Sequence, residues 1–506
     1  MKRLLMMSMF CAVAGGAMAD YSVRLFVNED AWVFFAFHHD RKIADRAGLV
    51  REIESYVDTF ASGGKVTDIA FNVNGMRMGY PSGVNETMWA TKKPDGTMAF
   101  SGSAQRKYFD LGLDPYALAL SRCREKGMRG WISMRMNDVH WVTASNNLWA
   151  GTSVWREHPD WLQVTDEKPA GSRRDWNDFA FDYANPAVRD FQFSIFKEIV
   201  DRYDADGYEL DFLRWWRHLK PGREREDAHF VTEFILRCRA YTREVAKRRG
   251  HPVQLSSRAP SVYARALELG FDVAAWARED AVDLIVPCNF FSPIDFDLDF
   301  AEWKREIAAA NPKTLVLPGA TDCFAQEPCR VRWEAWNAWV DRRYREGAQG
   351  VYLYNFSYLD AATLDRIKRQ GFDPETTGMR PRRYVVTYHD LSPSLPPARI
   401  LPAYLNHDVN VPVTVASLPR DGETAEIVIA IQKDDAPAPL VQINGQPVLE
   451  KPVRGEKARM YGDDRTSKTV WHYSVAPGQL VAGRNLVTVS SLGERVFLRW
   501  VEIAIR

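Results

Sequence analysis

The densest group of reactive side chains in the 506-residue chain is Asp206-Gly207-Tyr208-Glu209-Leu210-Asp211-Phe212-Leu213-Arg214-Trp215-Trp216. By its place in a series of β-rich runs it is a strand. Side chains alternate along a strand, so Glu209 and Asp211 point one way while Tyr208, Leu210 and Phe212 point the other. Two like charges a few ångströms apart raise the pKa of one of them, and burying either charge is costly without a partner. The chemistry that uses such a pair is general acid–base or nucleophilic catalysis. Glycoside hydrolysis in particular needs a carboxylate beneath the anomeric carbon and a protonated acid beside the leaving oxygen. The bland alternative is an ion pair of Glu209 with an arginine such as Arg135 or Arg258. Asp211, nearer the rim, is less readily explained that way.

Other polar residues fall where β-rich runs end: Asn72 and Asn74, then Arg135, Asn137, Asp138 and His140, then Arg258, Asn289, Asp322 and Asn355. Singly each has an ordinary explanation, because Asn and Asp favour turns and helix caps. Together they form a ring of hydrogen-bonding groups suited to a polyhydroxylated ligand. Trp215 and other tryptophans, 17 in all, could add flat apolar faces, although most of those in the long loops are expected only to close loop cores. His38 and His39 are expected to cap the following helix rather than bind sugar.

These residues need a scaffold that brings strand ends to one face. Strands are expected over residues 24–27 or 32–37, 66–73, 128–136, 207–212, 252–257, 282–287, 314–318 and 350–355. Amphipathic helical periodicity lies between them over 45–60, 114–126, 186–203, 226–249, 331–345 and 361–369. Eight β/α units in roughly 350 residues predict a (β/α)8 TIM barrel. A doubly wound sheet is the rival, but no Gly-rich phosphate turn follows the first strand. Two long connections, 74–113 and 137–185, leave strands at the face where barrel enzymes build sites.

The run DGYELDF at 206–212 resembles the strand-four motif of the α-amylase-type glycosidases, whose Asp-Gly-x-x-x-Asp pattern puts the nucleophilic aspartate at the position of Asp211. The chain departs from that pattern at Glu209, where the amylase type carries an arginine. The match to chitinase-type barrels fails, since their catalytic glutamate falls on Leu213. The whole organisation, with RMNDVH at 135–140 and ELDFLRW at 209–215, resembles the glycosidase-like barrels of bacterial exported proteins grouped as glycosyl-hydrolase-like family 10, over about residues 21–375. The resemblance implies a glycoside hydrolase acting on a poly- or oligosaccharide. On the residues, Asp211 is the expected nucleophile or base. The acid is expected at Asp322, then Asp138, then Glu209. Asn74, Arg135, Asn137, Asp138, His140, Trp215, Arg258, Asn289 and Asn355 are expected to bind substrate. No cofactor and no metal are implied. The rivals are a carbohydrate-binding barrel without an acid and a metal-dependent hydrolase using Asp, Asn and His.

The ends of the chain read differently. Lys2 and Arg3, an apolar stretch over 4–15 and Ala17-Met18-Ala19 match a signal peptide over 1–19, so export is expected. The barrel is then assigned to 20–375 and a Pro-rich linker to 376–402. A β-sandwich, jelly-roll-like in its Gly483–Val489 run, is assigned to 403–506, with strands over 411–416, 425–431, 440–443, 470–475, 485–490 and 496–505. Cleavage would leave Cys123, Cys238, Cys288, Cys323 and Cys329. Of these, Cys323 and Cys329 are equally suited to a disulfide or to two thiols. With 66 basic against 66 acidic side chains there is no broad cationic field for nucleic acid, and no later stretch is apolar enough to span a membrane.

Overall fold

The computed structural model describes residues 23–30, 34–35, 39–92, 95–100, 103–139, 152–163, 179–289, 296–321, 333–356, 361–386, 400–455, 458–459, 466–467 and 469–506. The expected signal peptide, His38, His140, Asp322, Cys323, Cys329 and most of the Pro-rich stretch lie outside the described residues.

The first part of the chain builds one curled parallel sheet. Its strands are β1 (Arg24–Glu29), β2 (Asp68–Asn72), β5 (Arg129–Arg135), β6 (Gly207–Asp211), β7 (Gln254–Pro260), β8 (Leu284–Cys288), β9 (Leu315–Val316), β10 (Gly319–Thr321) and β11 (Gly350–Tyr354). A small antiparallel hairpin, β3 (Ala90–Lys92) with β4 (Met98–Phe100), sits in the connection after β2. The sheet order is β10-β11-β1-β2-β5-β6-β7-β8-β9. Its two outer members are consecutive pieces of one run, broken at Leu317-Pro318. Leu317 N–H still bonds Ile285 on β8, at 3.0 Å, while the Pro318 carbonyl accepts from Tyr352 on β11, also at 3.0 Å. The chain itself therefore bridges the two edges of a barrel-like sheet. Proline has no N–H to give a ladder, which is why the run expected as one strand over 314–318 divides there.

Helices flank the sheet: α1 (Arg46–Ala61), α2 (Pro115–Glu125), α3 (Pro186–Arg202), α4 (Glu224–Arg249), α5 (Val273–Arg278), α6 (Phe300–Ala310), α7 (Trp333–Arg345) and α8 (Ala361–Gln370). Local sequence sets their ends. The side chains of Asp45, Asp114 and Asn185 accept from first-turn N–H groups of α1, α2 and α3, and Pro opens α2 and α3. The 26-residue α4 carries Glu224, Glu226 and Asp227 at its start, Lys247, Arg248 and Arg249 at its end, and a left-handed Gly250 after it, matching charge to the helix dipole.

The barrel interior is layered. At the N-terminal end Asp68 accepts from Arg129 Nε at 2.7 Å and Nη2 at 2.9 Å, from Arg24 Nε at 3.1 Å and from Trp131 Nε1 at 2.9 Å. Burial would raise this carboxyl, but the charges of Arg24 and Arg129 outweigh it and hold the group at about 2. Trp131 fills the next space so tightly that a Cβ on Gly207 would lie 2.4 Å from its ring. Glycine at 207 is thus a packing requirement of the fourth strand in the barrel. Above this plug lie Glu209, then Asp211.

The last part is antiparallel. One sheet runs β12 (Arg382–Val385), β23 (Phe497–Ile505), β15 (Ala425–Ile431), β21 (Thr469–Val475) and β18 (Val453–Arg454), with β13 (Ala403–Tyr404) also on β23. The other runs β14 (Val409–Val415), β22 (Gly483–Val489), β16 (Val441–Ile443) and β17 (Gln446–Pro447); a separate ladder pairs β19 (Ala458–Arg459) with β20 (Thr466–Ser467). Val411, Val413 and Val487 from one sheet bury a common cluster with Ile427, Ile429, Val501 and Ile503 from the other. β12 falls in the stretch read as a linker, and all four of its residues pair with β23. Tyr384 on β12 donates to Asp341 of α7 at 2.7 Å, tying the β region to the barrel.

Candidate active site

Strand register decides what faces Glu209 and Asp211. β5 aligns Ser133 with Glu209 and Arg135 with Asp211, while β7 aligns Ser256 with Glu209 and Ser257 with Leu210, which puts Arg258 at the level of Asp211. Both arginines thus stand one layer above Glu209. The ion pair expected for Glu209 does not form: Arg258 Nη1 donates to Asp211 Oδ1 at 2.8 Å, and Arg135 turns to Asp30 at 2.9 Å and Asp138 at 3.0 Å. The strand on which Arg258 stands runs three residues beyond the expected 252–257 span, so this arginine is a strand residue whose alternation aims it inward.

Asp211 is fully buried, and its two oxygens differ. Oδ1 is saturated, accepting from Leu213 N at 3.1 Å, Arg214 N at 3.0 Å and Arg258. Oδ2 accepts only from the Tyr354 hydroxyl, at 3.2 Å, among the described residues. The Arg258 guanidinium lies 3.5 Å from the Tyr354 ring centroid, so cation, phenol and carboxylate form one unit. Burial, then the Asp211 charge, pushes the Tyr354 phenol well up, which keeps it a donor.

Glu209, also fully buried, meets neutral donors: Asn28 Nδ2 at 3.0 Å and Ser133 Oγ at 2.8 Å, both on Oε1, with the Tyr352 hydroxyl also facing it and opposing the rise in its pKa. Burial first, and the neighbouring Asp211 charge second, push its carboxyl up to about 7. The expected rise in one of the pair thus falls on Glu209.

The remaining expected residues separate into rim and scaffold. Asp138 accepts from Arg135 and from the Trp215 indole at 2.8 Å, so Trp215 is a buried fastener whose N–H is engaged, not an exposed sugar platform. Asn74 bonds the Arg135 backbone in both directions, at 2.9 Å each. Asn137 ties Phe181 and the Arg217 carbonyl, which anchors loops and leaves it no free donor for a ligand. Asn72 is likewise turned to the Ser133 carbonyl. Asn289 and Asn355 are buried at their strand ends; Asn355 takes a left-handed φ of 51° and its Oδ1 has no partner. His39 bonds Glu52 at 2.8 Å, while the cap of α1 is Asp45, not a histidine. Trp155 closes a loop core through Phe179, as expected for the loop tryptophans. His140 and Asp322 lie outside the described residues.

A narrow recess beside this mouth is lined by Asn74, Arg135, Asp138, Thr152, Phe181 and Gln192 among others; Glu209 and Asp211 do not line it. Among the described residues, no three His, Cys, Asp or Glu side chains cluster as metal ligands would, and no helix is long and apolar enough to cross a membrane. Cys123, Cys238 and Cys288 are buried free thiols.

The sequence reading missed Asn28, Asp30 and Tyr354. Its own signal was available: alternation in Gly350-Val351-Tyr352-Leu353-Tyr354 places both tyrosines on the face shared with the axis, as it places Asn28 in β1.

No family model and no curated protein sequence matches the chain. Solved structures do. The endo-β-1,4-mannanase from Thermotoga petrophila matches with a TM-score of 0.43 at 9% identity, over 96% of this chain and 98% of that one. A GH36 α-galactosidase from Geobacillus stearothermophilus matches with a TM-score of 0.37 at 15% identity, over 91% and 56%. A cycloisomaltooligosaccharide glucanotransferase from Paenibacillus sp. matches with a TM-score of 0.38 at 8% identity, over 95% and 57%. The chain thus spans little more than half the length of the last two.

Proposed function

We propose that the protein is an exported glycoside hydrolase whose (β/α)8 barrel, over about residues 20–375, cleaves a poly- or oligosaccharide at its C-terminal face, followed by a jelly-roll-like sandwich over 403–506. The observation that carries this reading is the asymmetry of Asp211. One oxygen is locked by a cation and two backbone N–H groups, and the other keeps only a phenol among the described residues. A carboxylate held in this way is suited to attack an anomeric carbon, or to activate water, through Oδ2. The Tyr354 hydroxyl moves with the charge that leaves it.

The acid belongs across the mouth. Asp138 is engaged as an anion by Arg135 and as an acceptor by Trp215, which ill suits proton donation. Glu209 lies a layer beneath Asp211. Asp322, which follows Thr321 in the sequence and lies outside the described residues, is the remaining candidate and is our choice. Arg135 and Asn289 would then frame the sugar-facing rim, with Asn74, whose amide is engaged by Gly75 and Arg135, holding the Arg135 backbone in place. The engagement of Asp138 also favours a second reading, a carbohydrate-binding barrel without turnover, should Asp322 not serve. Screening the secreted full chain against a glycan panel, beside Asp211→Asn and Asp322→Asn, separates these. Turnover lost in both variants supports hydrolysis, turnover unchanged in Asp211→Asn overturns it, and binding without turnover in the native chain selects the second reading.

A further inference from the structure

Glu209 and Asn28 face each other across the barrel axis with an unfinished set of hydrogen bonds. The amide Nδ2 of Asn28 donates to Glu209 Oε1 at 3.0 Å, and Ser133 Oγ donates to the same oxygen at 2.8 Å. The other oxygen of each group, Glu209 Oε2 and Asn28 Oδ1, is buried without a partner. With Glu209 ionised both are pure acceptors, and two buried acceptors on facing groups cost free energy. A proton on Oε2 turns them into a donor and an acceptor, so that acid and amide bond reciprocally.

No cation competes for that role. The groups facing Glu209 are Asp211 above it on β6, Asn28 on β1, Ser133 on β5, Ser256 and Arg258 on β7, and Tyr352 on β11. Arg258 donates to Asp211, and its charge offsets only part of the rise at Glu209, while Arg135 pairs with Asp30 and Asp138. Burial holds the Tyr352 phenol well up, so it stays a neutral O–H donor beside Glu209, which lowers the Glu209 carboxyl less than burial and the Asp211 charge raise it.

We propose that Glu209 is a neutral carboxylic acid in the working protein, paired through both oxygens with the Asn28 carboxamide, and that it thereby positions Asp211, the carboxyl that holds the Arg258 cation, without a second charge beside it. The pairing stands on its own; the role toward Asp211 rests on the hydrolase reading above. Glu209 is accordingly a positioning residue rather than the acid of the reaction. Its removal from water next to Asp211 agrees with a proton retained to about pH 7.

Glu209→Gln copies the neutral acid, since the new amide N–H replaces the acid O–H toward Asn28. Infrared difference spectra of the full chain against Glu209→Gln should show a protonated-carboxyl band that is lost as pH rises through about 7. The sign for stability follows. A carboxyl raised from 4.5 to about 7 in the folded state leaves stability intact below the unfolded value, and stability falls as pH rises from there through about 7. The melting temperature of Glu209→Gln should therefore gain on the native protein across that window and match it at lower pH. Asn28→Ser, which keeps Glu209 but removes the amide, should shift the band's frequency and its midpoint, and answers the question even if Glu209→Gln does not fold. No such band below the window, with a pH-independent difference in melting temperature, overturns the pairing. For the positioning role, Glu209→Gln should keep turnover within about threefold, while Asp211→Asn loses it. A Glu209→Gln variant as inactive as Asp211→Asn would overturn that role. If the native chain turns over no glycan, the hydrolase reading falls, and the infrared titration still decides the protonation state.

Discussion

The barrel axis carries a buried aspartate at each end, and the two are built differently. Asp68 receives bonds from Arg24, Arg129, Trp131 and Thr67, so both oxygens are saturated and both neighbouring cations are balanced on one carboxylate. Asp211 receives one cation, two backbone N–H groups and a phenol, with the last alone on Oδ2. A saturated carboxylate between two arginines closes the barrel floor. A carboxylate clamped on one side only is placed to react on the other. Charge and burial are alike at the two ends, so the oxygen left over makes the distinction.

The comparison breaks first at the reactive end. Asp211→Asn should lower kcat/KM on any accepted glycan by about a thousandfold, or about 4 kcal/mol of transition-state stabilisation, because the neutral amide keeps the clamp but loses the nucleophile or base. Calorimetry should find this variant folded. Asp68→Asn should do the reverse, costing about 3–5 kcal/mol of stability in denaturant unfolding by leaving the buried Arg24 and the part-buried Arg129 underpaired, with kcat little changed. A third test uses acid. Because the Asp68 carboxyl is depressed from 3.8 to about 2, its contribution is present above the unfolded value and is lost as pH falls toward about 2, on the order of 2 kcal/mol. Asp68→Asn should flatten that acid limb, whereas Glu209→Gln alters the opposite limb. The smallest effect is expected from Tyr354→Phe, which removes the single donor on Oδ2 and should change kcat about tenfold with a shifted pH profile and an unchanged fold.

Much of the scaffold was legible because its signals are local. Three- and four-residue apolar periodicity placed α1, α2 and α3 within about a residue of where they begin, and alternation in 207–211 set the shared face of Glu209 and Asp211. The short α5 and the split of the seventh run at Pro318 carry weak periodicity and were not visible. β12 was hidden by the Pro-rich stretch beside it, since its pairing partner, β23, is more than a hundred residues away. The partners of the two carboxylates were harder still. Which arginine meets which acid depends on strand register, a non-local quantity that shifts every side chain when it changes by one residue. Register gave Arg258 to Asp211, left Glu209 with an amide and a hydroxyl, and turned Trp215 from an expected sugar platform into a buried brace for Asp138.

The most direct measurement is a structure of Asp211→Asn soaked with an oligosaccharide that the native chain accepts. The account predicts a sugar whose anomeric carbon sits about 3–3.5 Å from the atom replacing Oδ2, on the side away from Arg258. An ordered sugar elsewhere on the protein, with residue 211 untouched, would contradict it.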